Sequence, residues 1–320
     1  MSKVFVSAKL PAITITKLEN ANINTTVYSG NTLISQAELL SSVTDIDFLI
    51  TALSTKVDQE VIDNAPNLKI IANFGAGFNN IDIEYAKQKG ILVTNTPLVS
   101  TNSVAEVTIG LLLALSHRIV EGDALMRADG FPGWSPLYFL GHEIAGQRLG
   151  IVGMGSIGRD VAKKARAMSM DVQYWQPHQL SDPEERSLGV HYVSFEQLIN
   201  TSDFISINAP QTKTNFHQFN QDVFKQMKST ASIINVGRGP IIDEKALLKA
   251  LQDKTIAGAA LDVYEHEPNI EDGLADLKNV IITPHIGNAT VEARDAMGTI
   301  VADNVVAVFK NELPKYIVNK

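Results

Sequence analysis

The sequence predicts an α/β protein built from two parallel β-sheets with helices on their faces. Short β-rich runs alternate with segments of helical periodicity along most of the 320 residues, and such alternation is typical of parallel strands joined by crossover helices. The alternation stops at Thr96-Pro97 and resumes from Gln147. A chain of this length also suits two cores better than one. We therefore expect two doubly wound domains.

The first hundred residues contain the first set of alternating elements. The predicted strands are Val4–Ser7, Thr25–Tyr28, Phe48–Ala52, Lys69–Asn73 and Ile91–Thr94. The predicted helices are Ile13–Asn20, Ser35–Ser41, Gln59–Ala65 and Ile83–Lys89. Ligands of such sheets bind beyond the carboxyl ends of the strands. Leu53 and Ser54 follow the third predicted strand, and the loop Phe74–Phe78, with Ala76 and Gly77, follows the fourth. The two glycines of that loop let backbone N–H groups face a carboxylate; a plain connecting loop is the alternative.

A long apolar helix and an aromatic loop follow. The predicted helix Ser103–Ile119 is nearly apolar over Val107–Leu115, so we expect it to be buried, most simply between the two domains. The loop Phe131–Phe139 combines proline and glycine with aromatic residues, including Trp134. We favour a dimer contact for this loop, and a lid over a substrate is the alternative.

A glycine turn begins the second set of elements. Its predicted strands are Leu149–Val152, Val172–Trp175, His191–Val193, Phe204–Asn208, Ser232–Val236, Ala257–Leu261 and Val280–Thr283, and the helix Val291–Lys310 follows. The first strand leads into G-M-G-S-I-G and a helical segment. In that order Gly153 permits a tight turn, Gly155 lets backbone approach a pyrophosphate, and Gly158 brings helix and strand together. We predict that this turn binds a dinucleotide with Ser156 and Ile157 at the helix N-terminus; a ligand-free turn is the alternative.

Gln176 occupies the position where an NAD site usually has an acidic residue. That residue follows the second strand, about 20 residues beyond the glycines, and accepts hydrogen bonds from the ribose hydroxyls. Gln176 is neutral, so nothing there repels a 2′-phosphate, and His178 or Arg159 could donate to one. We therefore expect NAD(P) as cofactor, with NADP slightly favoured over NAD. A polar surface pair is the alternative.

Three loops at the ends of late strands each contain one candidate reacting residue. Arg238 offers a planar fork for the carboxylate and carbonyl of a 2-oxo acid. His285 can exchange a proton with the carbonyl oxygen, and Glu267 is the carboxylate expected to stabilise the charged imidazole. Taken singly, these residues could be a surface cation, a satisfied loop histidine and a strand-end cap.

The composition narrows the classes of function. The net charge is -8 and the basic residues form no cluster, so we expect no nucleic-acid partner. The longest apolar stretch, Ile109–Leu115, is too short to span a membrane. Without cysteine or a signal-peptide pattern, the chain is expected to be cytoplasmic. His142-Glu143 and His266-Glu267 lack the spacing of a helical zinc site, so no metal is predicted.

Four ordered motifs make the sequence similar to the D-isomer-specific 2-hydroxyacid dehydrogenases over essentially its whole length. They are G-M-G-S-I-G-R at 153–159, N-V-G-R-G at 235–239, D-V-Y-E-H-E-P at 262–268 and T-P-H-I-G at 283–287. The resemblance implies that Arg238, Glu267 and His285 are catalytic. It implies cofactor contacts at Thr108, Pro210, Val236, Asp262 and Gly287. It also implies that Ala76 and Gly77, with Leu53 and Ser54 nearby, hold the substrate carboxylate.

The resemblance further implies a domain organisation and a subgroup. Residues 1–100 and 289–320 would form a flavodoxin-like substrate domain and residues 101–288 a Rossmann-type cofactor domain, with the active site in the cleft between them. The motifs W-S-P-L-Y-F-L-G-H and P-H-I-G-N-A-T are most similar to the glyoxylate and hydroxypyruvate reductases. Such enzymes are generally homodimers, often use NADPH, and have an aromatic loop that would bring Trp134 toward the substrate. Asn79-Asn80 stands where Asp-His is frequent.

These observations predict an NAD(P)H-dependent reductase of a small 2-oxo acid, glyoxylate or hydroxypyruvate first. An alternative enzyme is D-3-phosphoglycerate dehydrogenase, whose phosphate requires extra basic residues, and the candidate substrate loops offer only Lys56. A non-catalytic, nucleotide-sensing interaction protein is the alternative from another class. Such a protein would not need the arginine, glutamate and histidine together.

Overall fold

A computed structural model describes residues 2–128 and 130–320. The chain divides into two compact units, a first unit of Met1–Ser100 with Ala289–Lys320 and a second unit of Thr101–Asn288. Each unit contains one sheet, and every strand pairing in both sheets is parallel. The predicted class, two doubly wound α/β sheets, is therefore confirmed.

The sheet of the first unit has five strands. Its elements in order are β1 (Lys3–Val6), α1 (Ala12–Asn20), β2 (Asn24–Val27), α2 (Gln36–Ser42), β3 (Phe48–Ala52), α3 (Gln59–Asp63), β4 (Ile70–Phe74), α4 (Ile83–Gln88) and β5 (Leu92–Thr94). The strand order is β2-β1-β3-β4-β5, which is the flavodoxin-like order. Because β3 and β4 are neighbours with Ala52 paired to Phe74, the loops that follow them leave the sheet side by side.

The second unit has a seven-stranded sheet. Its elements are α5 (Thr101–Ser116), α6 (Ile119–Ala128), β6 (Arg148–Val152), α7 (Ser156–Ala167), β7 (Asp171–Trp175), α8 (Asp182–Leu188), β8 (His191–Tyr192), α9 (Phe195–Thr201), β9 (Phe204–Ile207), α10 (Gln221–Gln226), β10 (Ser232–Asn235), α11 (Glu244–Gln252), β11 (Gly258–Leu261) and β12 (Val280–Ile282). The order β12-β11-β10-β9-β6-β7-β8 places the first strand of the unit, β6, inside the sheet between β9 and β7, where the winding direction reverses. Dinucleotides bind at this switch point in doubly wound sheets.

The last helix, α12 (Val291–Phe309), belongs to the first unit. Its residues Met297, Val301 and Val305 are buried in a core cluster with strand residues of the first sheet. Gly298 allows a close approach to α1, because a Cβ at this position would lie 2.3 Å from Thr14 Oγ1. The chain after α12 then runs beside β5, where Val318 N–H donates to Val93 O.

One element boundary differs clearly from the prediction. The helix expected over Ser103–Ile119 ends at Ser116, and a separate helix begins at Ile119. Arg118 between them has a left-handed backbone (φ 56°). Its guanidinium pairs with Glu121 at 2.7 Å and lies over the ring of Phe139 at 4.0 Å. The break is stabilised by side-chain contacts, and the two residues between the helices, His117 and Arg118, include neither glycine nor proline.

Within residues 2–128 and 130–320, a single helix with both the length and the apolar content of a membrane span is not found; only α5 and α6 together, across a 62° bend, meet these criteria.

Candidate active site

The glycine turn lies between β6 and α7, and two of its glycines are required by the geometry. Gly153 has a φ of 95°, and a Cβ there would lie 2.9 Å from the Ala209 backbone. At Gly158 a Cβ would lie 2.2 Å from Gly153 O, so α7 can approach the turn only without a side chain. The structure therefore shows the close turn and close helix packing that the spacing predicts.

The N-terminus of α7 offers an anion site beside this turn. Gly155 is the N-cap residue, and no side chain caps the helix. The first-turn N–H groups of Ser156 and Ile157 donate to no acceptor in the part of the chain that the structure describes. A Cβ at Gly155 would meet no atom within 4 Å. An uncapped helix N-terminus facing open space fits the diphosphate of a dinucleotide.

Gln176 immediately follows β7 and is tied to the glycine turn. Its Oε1 accepts from Met154 N–H at 3.0 Å, and its Nε2 donates to His178 O at 2.6 Å. Arg159 donates to Met154 O and pairs with Glu184 at 2.9 Å. Hydrogen bonds from Ser181 and the charge of Arg159 lower the pKa of Glu184 to about 2. The candidate donor Arg159 therefore already has an anionic partner.

His285 and Glu267 form a hydrogen-bonded pair. The Nδ1–H of His285 donates to Glu267 Oε2 at 2.9 Å, with the tautomer assigned from the carboxylate partner. The other carboxylate oxygen of Glu267 accepts from Tyr264 N–H at 3.1 Å. Burial raises the pKa of Glu267, but the bond from His285, the charge of the imidazole, Tyr264 N–H and Arg238 outweigh it and lower that pKa. The Nε2 of His285 has no partner among the described residues and is available for proton transfer.

Arg238 lies in the loop after β10, within electrostatic range of Glu267. Burial lowers the pKa of its guanidinium, and the charge of Glu267 raises it in part. One arm of the guanidinium donates to Gly237 O at 2.7 Å. Asn235 stabilises the loop, because its amide donates to Arg238 O and accepts from Gly237 N–H. The structure therefore brings the three candidate catalytic residues together.

The sheet order explains this convergence. Arg238 follows β10, Glu267 follows β11 and His285 follows β12, and these strands are consecutive in the sheet. Parallel strands end at the same edge, so residues far apart in sequence meet there. The glycine turn follows β6 at that same edge.

The other positions implied by the resemblance are mostly occupied in internal contacts. Asp262 is buried and accepts from Thr283 Oγ1, Ile286 N–H and Gly287 N–H at 2.6 to 2.8 Å. It thus holds the loop that carries His285. Thr108 is buried and donates to Val104 O, Val236 is buried beyond β10, and Pro210 is exposed beyond β9.

The candidate substrate residues lie at the carboxyl edge of the first sheet. Leu53 and Ser54 follow β3, and Ala76 and Gly77 follow β4. Neither Ala76 N–H nor Gly77 N–H donates to an acceptor in the described chain, so both remain available for an anion. The two loops touch, since a Cβ at Gly75 would lie 2.3 Å from Leu53 Cδ2.

Trp134 stays apart from this constellation. Its side chain is 84% exposed, and no hydrogen bond or ring contact of the described residues joins it to Arg238, Glu267 or His285. Within the same described ranges, no group of three potential metal ligands occurs.

Four residues near these loops have roles that the sequence motifs do not predict, although Asn80 is noted above as a departure from the family pattern. Asn73, Asn80 and Asn95 donate to backbone carbonyls of the two loops in the first unit. A polar Asn73 inside the apolar strand I-I-A-N-F was the one signal available. Arg294 on α12 lies over the Phe74 ring at 5.7 Å, and burial lowers its pKa. It forms no salt bridge within the described chain.

Comparison with known proteins gives a consistent assignment. The family model "D-isomer specific 2-hydroxyacid dehydrogenase, NAD binding domain" matches residues 109–287. A Staphylococcus haemolyticus protein provisionally described as a 2-hydroxyacid dehydrogenase is 52% identical over 320 residues, with 100% of each chain covered.

Two solved structures are similar over nearly their full length. A glyoxylate reductase from Paecilomyes thermophila has a TM-score of 0.85 and 30% identity, covering 98% of this chain and 97% of that chain. An NADPH-dependent glyoxylate/hydroxypyruvate reductase from Sinorhizobium meliloti, in complex with NADP and malonate, has a TM-score of 0.82 and 30% identity, covering 99% and 96%.

Proposed function

The chain belongs to the D-isomer specific 2-hydroxyacid dehydrogenase family, and we propose that it reduces glyoxylate or hydroxypyruvate with NAD(P)H. As a family member it is an oxidoreductase that acts on CH–OH groups. The proposal for the site depends on one observation, the 2.9 Å hydrogen bond between His285 and Glu267. This pair lies at the sheet edge that also carries Arg238 and the glycine turn.

The proposed chemistry assigns one task to each residue. Bound NAD(P)H, held at the N-terminus of α7, would supply a hydride to the C2 atom of the 2-oxo acid. Arg238 binds the carboxylate and the carbonyl oxygen through its planar fork. His285 donates the proton on Nε2 to that oxygen as negative charge develops there. Glu267 keeps the imidazole oriented and stabilises its protonated form. The product is the 2-hydroxy acid, and where C2 is chiral we propose the D configuration because the chain belongs to a D-isomer specific family.

Initial rates over a panel of acids test this function. Glyoxylate, hydroxypyruvate, pyruvate, 3-phosphohydroxypyruvate and a bulky 2-oxo acid are each assayed with NADH and with NADPH. We expect the highest kcat/KM for glyoxylate or hydroxypyruvate. Highest activity with the phosphorylated acid would favour the phosphoglycerate dehydrogenase alternative, and no turnover of any acid would contradict the proposed function.

The charges near the candidate substrate loops favour the small acids. Lys56 is already paired with Asp58 at 3.2 Å. Arg294 is the cation without a salt bridge beside the end of β4 in the described chain. A single guanidinium provides less binding energy for a substrate phosphate than the several basic groups that a phosphate site usually contains. The phosphorylated substrate therefore remains second.

For the cofactor we propose a preference for NADPH. The support is the neutral Gln176 and the NADP complex of the Sinorhizobium relative. Gln176→Glu keeps the size of the side chain and adds a charge that repels a 2′-phosphate, so it should lower the ratio of kcat/KM for NADPH over NADH by roughly tenfold or more. Gln197→Glu on the exposed face of α9 is the matched control. A wild-type preference for NADH would refute this proposal.

We also propose a homodimer. Large apolar side chains are exposed on α6 and on the loop after it. They are Ile119, Val120, Met126, Phe131, Trp134, Leu137 and Leu140. An exposed apolar surface of this extent is typical of a protein interface, and a second copy of the chain is the occupant that the family organisation favours.

A further inference from the structure

Every carbonyl of the loop Gly75–Gly77 is held by a hydrogen bond inside the first unit. Thr96 N–H donates to Gly75 O at 2.9 Å. The amide of Asn95 donates to Ala76 O at 2.7 Å, and the amide of Asn73 donates to Gly77 O at 2.6 Å. Asn73 is fully buried and Asn95 nearly so. A loop with three tethered carbonyls has little freedom to rotate its peptide planes.

These tethers fix the direction of the free N–H groups. In a trans peptide the carbonyl of one residue and the N–H of the next point in opposite directions across a rigid plane. Holding Gly75 O therefore orients Ala76 N–H, and holding Ala76 O orients Gly77 N–H. Both N–H groups point away from Thr96 and Asn95 and lack a described acceptor.

Asn80 connects this loop to the loop after β3. Its Nδ2 faces three oxygens: Thr55 O at 2.9 Å, Asn73 Oδ1 at 3.2 Å and Ala52 O at 3.3 Å. The opposite orientation of the amide would place Oδ1 against three other acceptor oxygens. The orientation with Nδ2 facing them is therefore assigned. Thr51 Oγ1 also donates to Asn73 Oδ1 at 3.0 Å. One asparagine amide thus binds both loops.

Packing couples the same two loops. Gly75 lies directly against the Leu53 side chain, where a Cβ would come within 2.3 Å of Cδ2. A shift of the Ala52–Thr55 segment would therefore move Leu53 and press on the glycine loop. The amide of Asn80 and the contact at Gly75 act on the same pair of segments from different positions.

We propose that Asn73, Asn80 and Asn95 are positioning residues for the glycine loop, whose Ala76 N–H and Gly77 N–H bind the carboxylate of the 2-oxo acid. Asn95 orients Gly77 N–H directly, Asn73 holds the end of the loop through Gly77 O, and Asn80 acts through Asn73. The substrate meets the N–H side of the loop. Asn80 additionally keeps Leu53 and Ser54 in register with the glycine loop. This inference rests on the proposed function, because it needs an acid substrate at these loops.

Isosteric amide-to-carboxylate variants test the proposal. Asn95→Asp removes the donor to Ala76 O and places negative charge against it, so the peptide that presents Gly77 N–H should rotate. We expect KM for glyoxylate to rise about ten- to a hundredfold with a smaller change in kcat, because a displacement of about 1 Å is enough for such losses. Asn64→Asp makes the same chemical change at an exposed amide that caps the C-terminus of α3 and should leave KM and kcat for glyoxylate unchanged.

Asn80 gives an independent test through the other loop. Asn80→Asp places a carboxylate against three oxygens, and Asn80→Ser, which is neutral and too short to reach them, serves if the charged variant does not fold. Either variant should raise KM for glyoxylate in the same way, while the Kd for NADPH, from the quenching of protein fluorescence, stays within about twofold of wild type.

Two results would overturn the proposal. The first is a folded Asn95→Asp protein with an unchanged KM. The second is a rise in the Kd for NADPH as large as the rise in KM for glyoxylate, because general unfolding would then explain both. A wild-type protein that reduces no 2-oxo acid would instead contradict the proposed function.

Discussion

At the scale of single residues, His285 has a backbone conformation that needs support. Its φ is 52°, in the left-handed region that L residues with large side chains adopt rarely. Asp262 supplies that support through its bonds to Thr283, Ile286 and Gly287 around the histidine. A residue expected to contact the cofactor therefore also determines where the imidazole lies.

The proposed proton donor predicts a specific kinetic result. His285→Gln keeps a polar group of similar size but removes the proton transfer, so kcat should fall by roughly two to four orders of magnitude. The Kd for NADPH should stay the same, since the substitution does not alter the N-terminus of α7. His191→Gln, at an exposed position on β8, is the control. Equal loss of cofactor binding would indicate a structural role for His285.

The sequence identified residues with distinctive motifs and missed those whose role depends on distant backbone. Arg238, Glu267 and His285 stand in short motifs at strand ends, and the sheet order then brings them together. Asn80 has partners at Ala52 and Thr55, 28 and 25 positions away, and a backbone carbonyl leaves no trace in a sequence. Gln176 was recognised as neutral, but its hydrogen bond to Met154 requires the folded turn.

At the scale of secondary structure, strand and helix bounds follow the predicted ones to within two residues, apart from the break before α6 and from α7. The helical periodicity after the glycine turn covers Asp160–Met170, whereas α7 begins at Ser156 and ends at Ala167. Periodicity predicts the interior of an element well, and caps such as Ser35 with Glu38 mark its ends. The break at Arg118 could not be predicted in this way, because its stabilising contact with Phe139 comes from a loop 21 residues later.

The glycine turn predicts a contrast between two substitutions. Gly158→Ala places a methyl group against Gly153 O, so it should lower both the free energy of unfolding and the affinity for NADPH. Gly155→Ala meets no protein atom and should leave the free energy of unfolding unchanged while weakening NADPH binding. Urea unfolding and NADPH titration of both variants measure this. Unchanged NADPH affinity in Gly155→Ala would argue against a diphosphate at this turn.

Tyr264 joins the ends of β11 and β12. Its buried hydroxyl donates to Thr283 O at 2.7 Å and lies 3.1 Å from Leu261 O. Tyr264→Phe should therefore lower the free energy of unfolding by about 1–2 kcal/mol, measured by urea unfolding at neutral pH. Tyr138→Phe, at an exposed ring, should cause no loss and is the control.

The same hydroxyl gives a pH dependence. Burial, the largest cause, raises the pKa of Tyr264 to about 12, while a tyrosine of the unfolded chain titrates near about 10. The hydroxyl therefore stays protonated to a higher pH in the folded state than in the unfolded chain. This contribution to stability is fully present below about pH 10 and is lost as the pH rises toward about 12. A Tyr264→Phe protein with the same alkaline decline as wild type would contradict this assignment.

At the scale of the whole molecule, the exposed apolar surface predicts the state of association. Leu137→Lys places a charge within the proposed dimer contact and should shift the protein toward monomer in sedimentation velocity experiments. Leu313→Lys makes the same change at an equally exposed leucine of the first unit and should not. A wild-type protein that sediments as a monomer would refute the proposed homodimer.

The return of α12 to the first sheet has a consequence for the order of folding. During synthesis the ribosome releases Val4, Phe48 and Ile70 long before Val301 and Val305, the residues that cover them. The second unit lies between these two parts of the chain, so all its strands emerge before its neighbour can finish its core. Domains fold as units as the chain emerges. The nascent chain should therefore complete its cofactor-binding half first, leaving the N-terminal sheet with one face open to chaperones until the final helix arrives.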